Sequence, residues 1–115
     1  MKSSTENKNN IKTGKGEKFM QEKVLVRKIL QYLNSLPNCF AWKSWGGMYS
    51  VAGIPDVICC YCGYFIAFEV KVGKNKPTKL QEKTINQIKN AGGKAYVVYS
   101  LDEVKKIMQG VTMND

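Results

Sequence analysis

Hydrophobic and polar positions alternate along the chain with two different periods. Between about Glu17 and Leu36 the apolar residues Phe19, Met20, Val24, Leu25, Val26, Ile29, Leu30, Leu33 and Leu36 recur three and four positions apart, the spacing of an α-helix. Pro37 ends that run, because proline disfavours helical geometry in the residue before it. The polar face of this helix carries Glu22, Lys23, Arg27 and Lys28. From Cys39 to Trp45 the period falls to two, which predicts a strand, and Gly46-Gly47 breaks it into a loop reaching Gly53. Two β-rich runs, Asp56 to Cys62 and Tyr64 to Val72, are hinged at Gly63 and predict an antiparallel pair at the centre of a sheet. A second helix is expected from Pro77 or Thr78 to about Asn90, stopped by Ala91-Gly92-Gly93. A strand over Ala95 to Tyr99 follows, and Ser100 with Glu103 three residues later predicts a capping box for a last helix through about Gln109. The predicted order is helix, three strands, helix, strand, helix: an α/β fold with a mixed central sheet flanked by helices.

Residues 1 to 16 are lysine, asparagine, serine, threonine, glycine and glutamate, with Ile11 the sole large aliphatic after Met1. Such a segment buries too little surface to offset its ordering entropy and is expected to be a flexible basic tail, leaving 17–115 as one domain. At 115 residues the chain is long enough for one core and too short for two. With 43% hydrophobic and 23% charged residues it is globular in composition, which excludes a wholly disordered chain. The longest apolar stretch, Val57 to Phe68, is interrupted by Gly63 and falls short of the roughly 20 residues a membrane helix needs. The lysine-rich start has no signal-peptide pattern, so a cytoplasmic location is expected.

Histidine is absent. That removes Ser-His-Asp and Cys-His hydrolysis, histidine-metal nucleases and His-rich zinc enzymes, and leaves acid–base work to carboxylates, lysine, tyrosine or cysteine. Of four cysteines, Cys59, Cys60 and Cys62 crowd one apolar run and Cys39 stands twenty residues upstream. This spacing suits neither a disulfide between neighbours nor a paired zinc site, and small core side chains are the expected role. The net charge of +9 points to a polyanionic partner, and seventeen of the eighteen cationic residues are lysine. Lysine makes sequence-blind phosphate contacts, whereas base reading favours arginine, of which Arg27 is the one example.

The chemistry concentrates in Gly53-Ile54-Pro55-Asp56 and, after twelve intervening residues, Glu69-Val70-Lys71. On an extended strand Glu69 and Lys71 share a face while Val70 points to the other. If Asp56 opens the neighbouring strand, its carboxylate meets Glu69, and two carboxylates about 4 Å apart repel by roughly 4 kcal/mol at an effective dielectric near 20. A divalent cation cancels that repulsion. Mg²⁺ or Mn²⁺ would bridge Asp56, Glu69, the Val70 carbonyl and a substrate phosphate, with Lys71 orienting or deprotonating the attacking water. A lone Glu-x-Lys is common on solvated strands. Here the charges interrupt an apolar run, where burial without purpose costs several kcal/mol.

Pro55-Asp56 followed by Glu69-Val70-Lys71 resembles the PD-(D/E)xK nuclease superfamily. Gly53-Ile54-Pro55-Asp56, the later Gln81 and the Ala91-Gly92-Gly93 turn are similar, more narrowly, to the virus-type replication-repair nuclease (VRR-NUC) module, over about Glu17 to Met108. The resemblance implies a restriction-endonuclease-like core and a Mg²⁺- or Mn²⁺-dependent DNA endonuclease, acting as a homodimer on branched DNA such as four-way (Holliday) junctions. Stand-alone modules of this kind are typical of phages and bacteria. It also implies that a helix-borne glutamate joins the metal site, Glu22 matching that position with Glu17 as competitor, and that Gln81 supports the site or contacts the DNA backbone.

Lys74, Lys76, Lys79, Lys83, Lys89 and Lys94 follow the proposed catalytic strand with Glu82 the single acid among residues 72–94, and would draw a phosphate backbone toward the metal. Ser50 could contact phosphate, and Trp42, Trp45 and Tyr49 could stack on an unpaired base, although strand aromatics commonly serve the core. Two rival readings use the same residues: an inactive nucleic-acid-binding module of the same fold, and a structural protein whose basic face binds RNA or an acidic partner.

Overall fold

The protein is described by a computed structural model covering residues 14–45 and 51–111. Among the described residues seven elements run in the order α1 (Gly14–Ser35), β1 (Cys39–Lys43), β2 (Val57–Tyr61), β3 (Tyr64–Val70), α2 (Lys79–Asn90), β4 (Lys94–Val98) and α3 (Leu101–Val111). The four strands form one mixed sheet in the order β1-β2-β3-β4, antiparallel between the first three and parallel between β3 and β4. The parallel step requires a crossover, and α2 supplies it.

Side-chain alternation divides the core into two layers. Val57, Cys59, Ile66, Phe68, Val70 and Val98 face α1 and α3, packing with Val26, Ile29, Leu33, Val104, Met108 and Val111. On the other face Ile58, Ala67 and Ala95 pack with Ile85 of α2. The strands are therefore apolar on both sides, as sheets covered from two directions are.

α1 begins at Gly14, inside the segment expected to be tail, because Gly14 and Gly16 carry no apolar signal by which its first turn could be read. The rest of that tail lies outside the described residues. At 22 residues α1 is about 33 Å long, against about 17–23 Å for strands of five to seven residues, so its first turns overshoot the sheet. Phe19, Met20 and Val24 are consequently exposed, which corrects their place in the expected core stripe.

The hairpin between β2 and β3 turns on two residues, Cys62 and Gly63, both at positive φ (52° and 87°), the backbone of a tight hairpin turn. Thr78 caps α2 with a reciprocal box: its hydroxyl accepts from the Gln81 N–H and the Gln81 side chain accepts from the Thr78 N–H. The box expected at α3 is half formed. Ser100 Oγ accepts from the Glu103 N–H, while the Glu103 carboxylate takes the N–H of Tyr99, one residue earlier than a box requires. All four cysteines are free. Cys59 is buried and Cys39 half-buried, but Cys60 and Cys62 are exposed, so the expected core role fails for these two. Cys60 points to the sheet face opposite Cys59, and Cys62 sits in the turn. Among the described residues no helix is long and apolar enough to cross a membrane.

Candidate active site

The loop entering β2 is pinned to α2. Gly53 has φ +79°, and a Cβ there would lie 2.8 Å from both the Leu80 carbonyl oxygen and Thr84 Oγ1. The buried Thr84 hydroxyl is within hydrogen-bond distance of the carbonyls of Ala52 (3.0 Å) and Leu80 (3.1 Å). From the other side Ser44 donates its hydroxyl to the Pro55 carbonyl at 2.7 Å and its N–H to the Asp56 carbonyl at 2.9 Å. Asp56 is thereby fixed at the mouth of β2 by contacts to both α2 and the end of β1.

Since Val57 pairs with Phe68, Asp56 comes opposite Glu69. Asp56 Oδ2 accepts a hydrogen bond from the Val70 N–H at 2.8 Å, so one carboxylate oxygen reaches across to β3. Glu69 is 2% exposed. Its Oε2 pairs with Lys71 Nζ at 3.5 Å, and its Oε1 is buried without a hydrogen-bond partner. Burial pushes the Glu69 carboxyl up to about 8, the Asp56 charge adds to that rise, and Lys71 opposes it. Protonated, Glu69 hydrogen-bonds the Asp56 carboxylate; ionised, it leaves a buried acceptor unsatisfied at a cost of about 1–3 kcal/mol, and a cation would then supply the partner. Asp56 and Glu69 offer neighbouring carboxylate oxygens, with the Val70 main chain held against Asp56 Oδ2, and hard oxygen donors of this kind fit Mg²⁺ or Mn²⁺.

Asp56, Glu69 and Lys71 therefore come together as the spacing predicts, with the Val70 side chain in the core on the opposite face. Other expected members stand apart. Glu22 is half-buried on the α1 stripe that carries Val26, Ile29 and Leu33, a stripe packed on the other side of the sheet. Glu17 is exposed. Among the described residues no third carboxylate or thiol groups with Asp56 and Glu69 to form a metal-binding cluster, so the expected ligand set that included Glu22 is not assembled. Gln81 spends its side-chain oxygen on the α2 cap. Gly53 is expected as the opening of the Gly53-Ile54-Pro55-Asp56 motif and here proves to lock the loop; Thr84, which locks it from α2, is not among the expected residues, and a threonine within the apolar stripe of α2 is the signal that marks it.

Lys74, Lys76, Lys79, Lys83 and Lys89 are exposed, and the loop bearing the first two is tied down by Tyr99, whose hydroxyl donates to the Asn75 carbonyl at 2.8 Å. Lys94 is half-buried, its ammonium 5.4 Å from the centre of the Tyr64 ring. Trp42 stands on the Glu69 side of the sheet. Trp45 lies instead with Lys43, 5.1 Å from its ring, beside Lys23, Val26, Arg27 and Leu30 of α1. Ser50 and Tyr49 lie outside the described residues. Comparison of the chain with known protein families, with curated proteins and with solved structures finds no match in any of the three.

Proposed function

We propose that this chain is a Mg²⁺- or Mn²⁺-dependent DNA endonuclease with a restriction-endonuclease-like core, of the VRR-NUC kind, acting as a homodimer on branched DNA such as four-way junctions. The observation that carries the reading is the buried, unpartnered Glu69 Oε1 beside the Asp56 carboxylate, with Lys71 Nζ 3.5 Å from the other Glu69 oxygen. Nothing in the packing of an ordinary core asks for that arrangement.

Asp56, Glu69 and the Val70 carbonyl would hold the cation, which when bound supplies Lewis-acid polarisation of the scissile phosphate. Asp56 is oriented for this by the Val70 N–H. Lys71 orients the attacking water and offsets the negative charge that builds on the phosphate oxygens, a preorganised electrostatic role. The exposed Lys74, Lys76, Lys79 and Lys83 hold the phosphodiester backbone without reading sequence. Gln81 acts through the α2 cap, fixing the helix start against which the Asp56 loop is packed.

The test incubates wild type, Glu69→Ala and Lys71→Ala with labelled junction, flap, duplex and single-stranded DNA, each with Mg²⁺, Mn²⁺ or EDTA. Cleavage by wild type with a cation, abolished by EDTA and by Glu69→Ala and lowered at least about 100-fold by Lys71→Ala, is expected. Cleavage that persists in EDTA or in both variants overturns the mechanism. The grouping of two carboxylates, not three, favours a second reading, a DNA-binding module without turnover. That reading requires no cleavage with any cation and DNA affinity unchanged in Glu69→Ala.

A further inference from the structure

α2 covers only part of its side of the sheet: Ile58 and Ala67 pack beneath it, while β1 and the hairpin ends of β2 and β3 are left open. Phe40, Trp42 and Phe65 stand there, 67%, 42% and 45% exposed. Pairing register puts Phe40, Cys60 and Phe65 in one cross-strand row and Trp42, Ile58 and Ala67 in the next, all pointing to the face that carries Glu69. The Phe40 and Trp42 rings lie 5.4 Å apart and tilted by 36°. A contiguous apolar patch of this kind marks a binding surface.

We propose that this open face is a stacking platform for the unpaired bases of a single-stranded DNA segment leading into the active site, so that the enzyme takes DNA at a junction of duplex and single strand. The inference rests on the nuclease reading for its choice of DNA and deepens it by naming the substrate feature. Three observations select this occupant. The first is continuity: two strand residues span about 7 Å, so the Trp42 row lies about 7 Å and the Phe40 row about 13 Å from the Asp56–Glu69 row on the same face. The second is charge. β1, β2 and β3 contain no acidic residue but Glu69, Asp56 stands beside it just before β2, and the chain carries +9, which attracts a polyanion. The third is order along the strand axis: Phe65 precedes Glu69 on β3, and Lys74 and Lys76 follow beyond it. The carboxylates thus sit between an aromatic surface suited to bases and a lysine loop suited to duplex phosphates.

The experiment measures binding in EDTA, where no turnover occurs, so it reads stacking separately from catalysis. Fluorescence anisotropy compares a duplex, the same duplex with an unpaired tail, and that duplex with an abasic tail of equal length. Wild type should bind the base-bearing tail at least about fivefold tighter than the abasic one, and Phe40→Ala/Trp42→Ala should erase the difference while leaving duplex affinity unchanged. Trp42→Phe, which keeps a ring, should retain it. Trp45→Phe leaves Trp42 as the single tryptophan, and its fluorescence should be quenched by the base-bearing tail and not by the abasic one. This readout stands even if the double variant folds poorly. Equal affinity for both tails, or unchanged Trp42 fluorescence, overturns the proposal. So does a wild-type dimer that Phe40→Ala/Trp42→Ala converts to monomer, which would assign the face to a second copy. Absence of cleavage with every cation, alongside intact stacking, would instead sink the nuclease reading alone.

Discussion

At the scale of single residues, Glu69 carries the account. Its carboxyl, raised to about 8 mainly by burial and then by Asp56, keeps a proton in the folded protein over a range where the unfolded chain has lost it. From about pH 4.5 to 8 the native state thus binds more protons than the unfolded one, and stability falls as pH rises through that window. With no histidine in the chain, little else titrates there. Thermal melts without divalent cation should show Tm decreasing from pH 5 to pH 8.5, and Glu69→Gln should flatten the slope. Because the cation requires the ionised carboxylate, 5 mM Mn²⁺ should raise Tm more at pH 8 than at pH 5. A Tm that rises with pH in wild type contradicts the assignment. Gly53 makes a second residue-scale case: Gly53→Ala places a Cβ 2.8 Å from the Leu80 carbonyl at a positive φ. The expected cost is about 2 kcal/mol in denaturant unfolding, with cleavage reduced because the Asp56 loop shifts.

At the scale of elements, periodicity locates each helix and strand of the described residues within a few positions, since each is amphipathic or apolar on its own terms. The ends of α2 are legible in Pro77-Thr78 and Ala91-Gly92-Gly93, whereas its reciprocal Thr78–Gln81 cap is not among the expectations, and the box that is expected, Ser100 with Glu103, forms only by half. What could not be read depends on contacts between elements. Phe19 and Met20 continue the apolar period of α1 yet emerge exposed, because no local pattern tells where the sheet beneath a helix stops. Glu22 matched a motif position, but a helix register alone does not say which side of the sheet its stripe will meet. Asp56 and Glu69 were legible as partners because a hairpin fixes register across two adjacent strands. The grip of Thr84 and Ser44 on the Asp56 loop joins segments 32 and 11 residues apart and leaves no comparable trace.

At the scale of the whole molecule, charge and open surface divide the labour. Lysine contacts to phosphate release counterions, so DNA affinity should fall steeply with salt, and Lys74→Ala/Lys76→Ala should reduce the slope of log K against log salt by about 2. An unchanged slope would remove that loop from the binding surface. The aromatic half of the sheet contributes little to the salt dependence, since stacking is insensitive to screening. In the proposed function both surfaces serve the same pair of carboxylates, so what those two hold is decisive. Calorimetric titration of Mn²⁺ at pH 8 into wild type, Asp56→Ala and Glu69→Ala measures it directly. Saturable binding to wild type, lost in both variants once circular dichroism shows each to be folded, is expected; binding that is undiminished in Glu69→Ala, or absent from wild type, rules out a cation held by these two carboxylates.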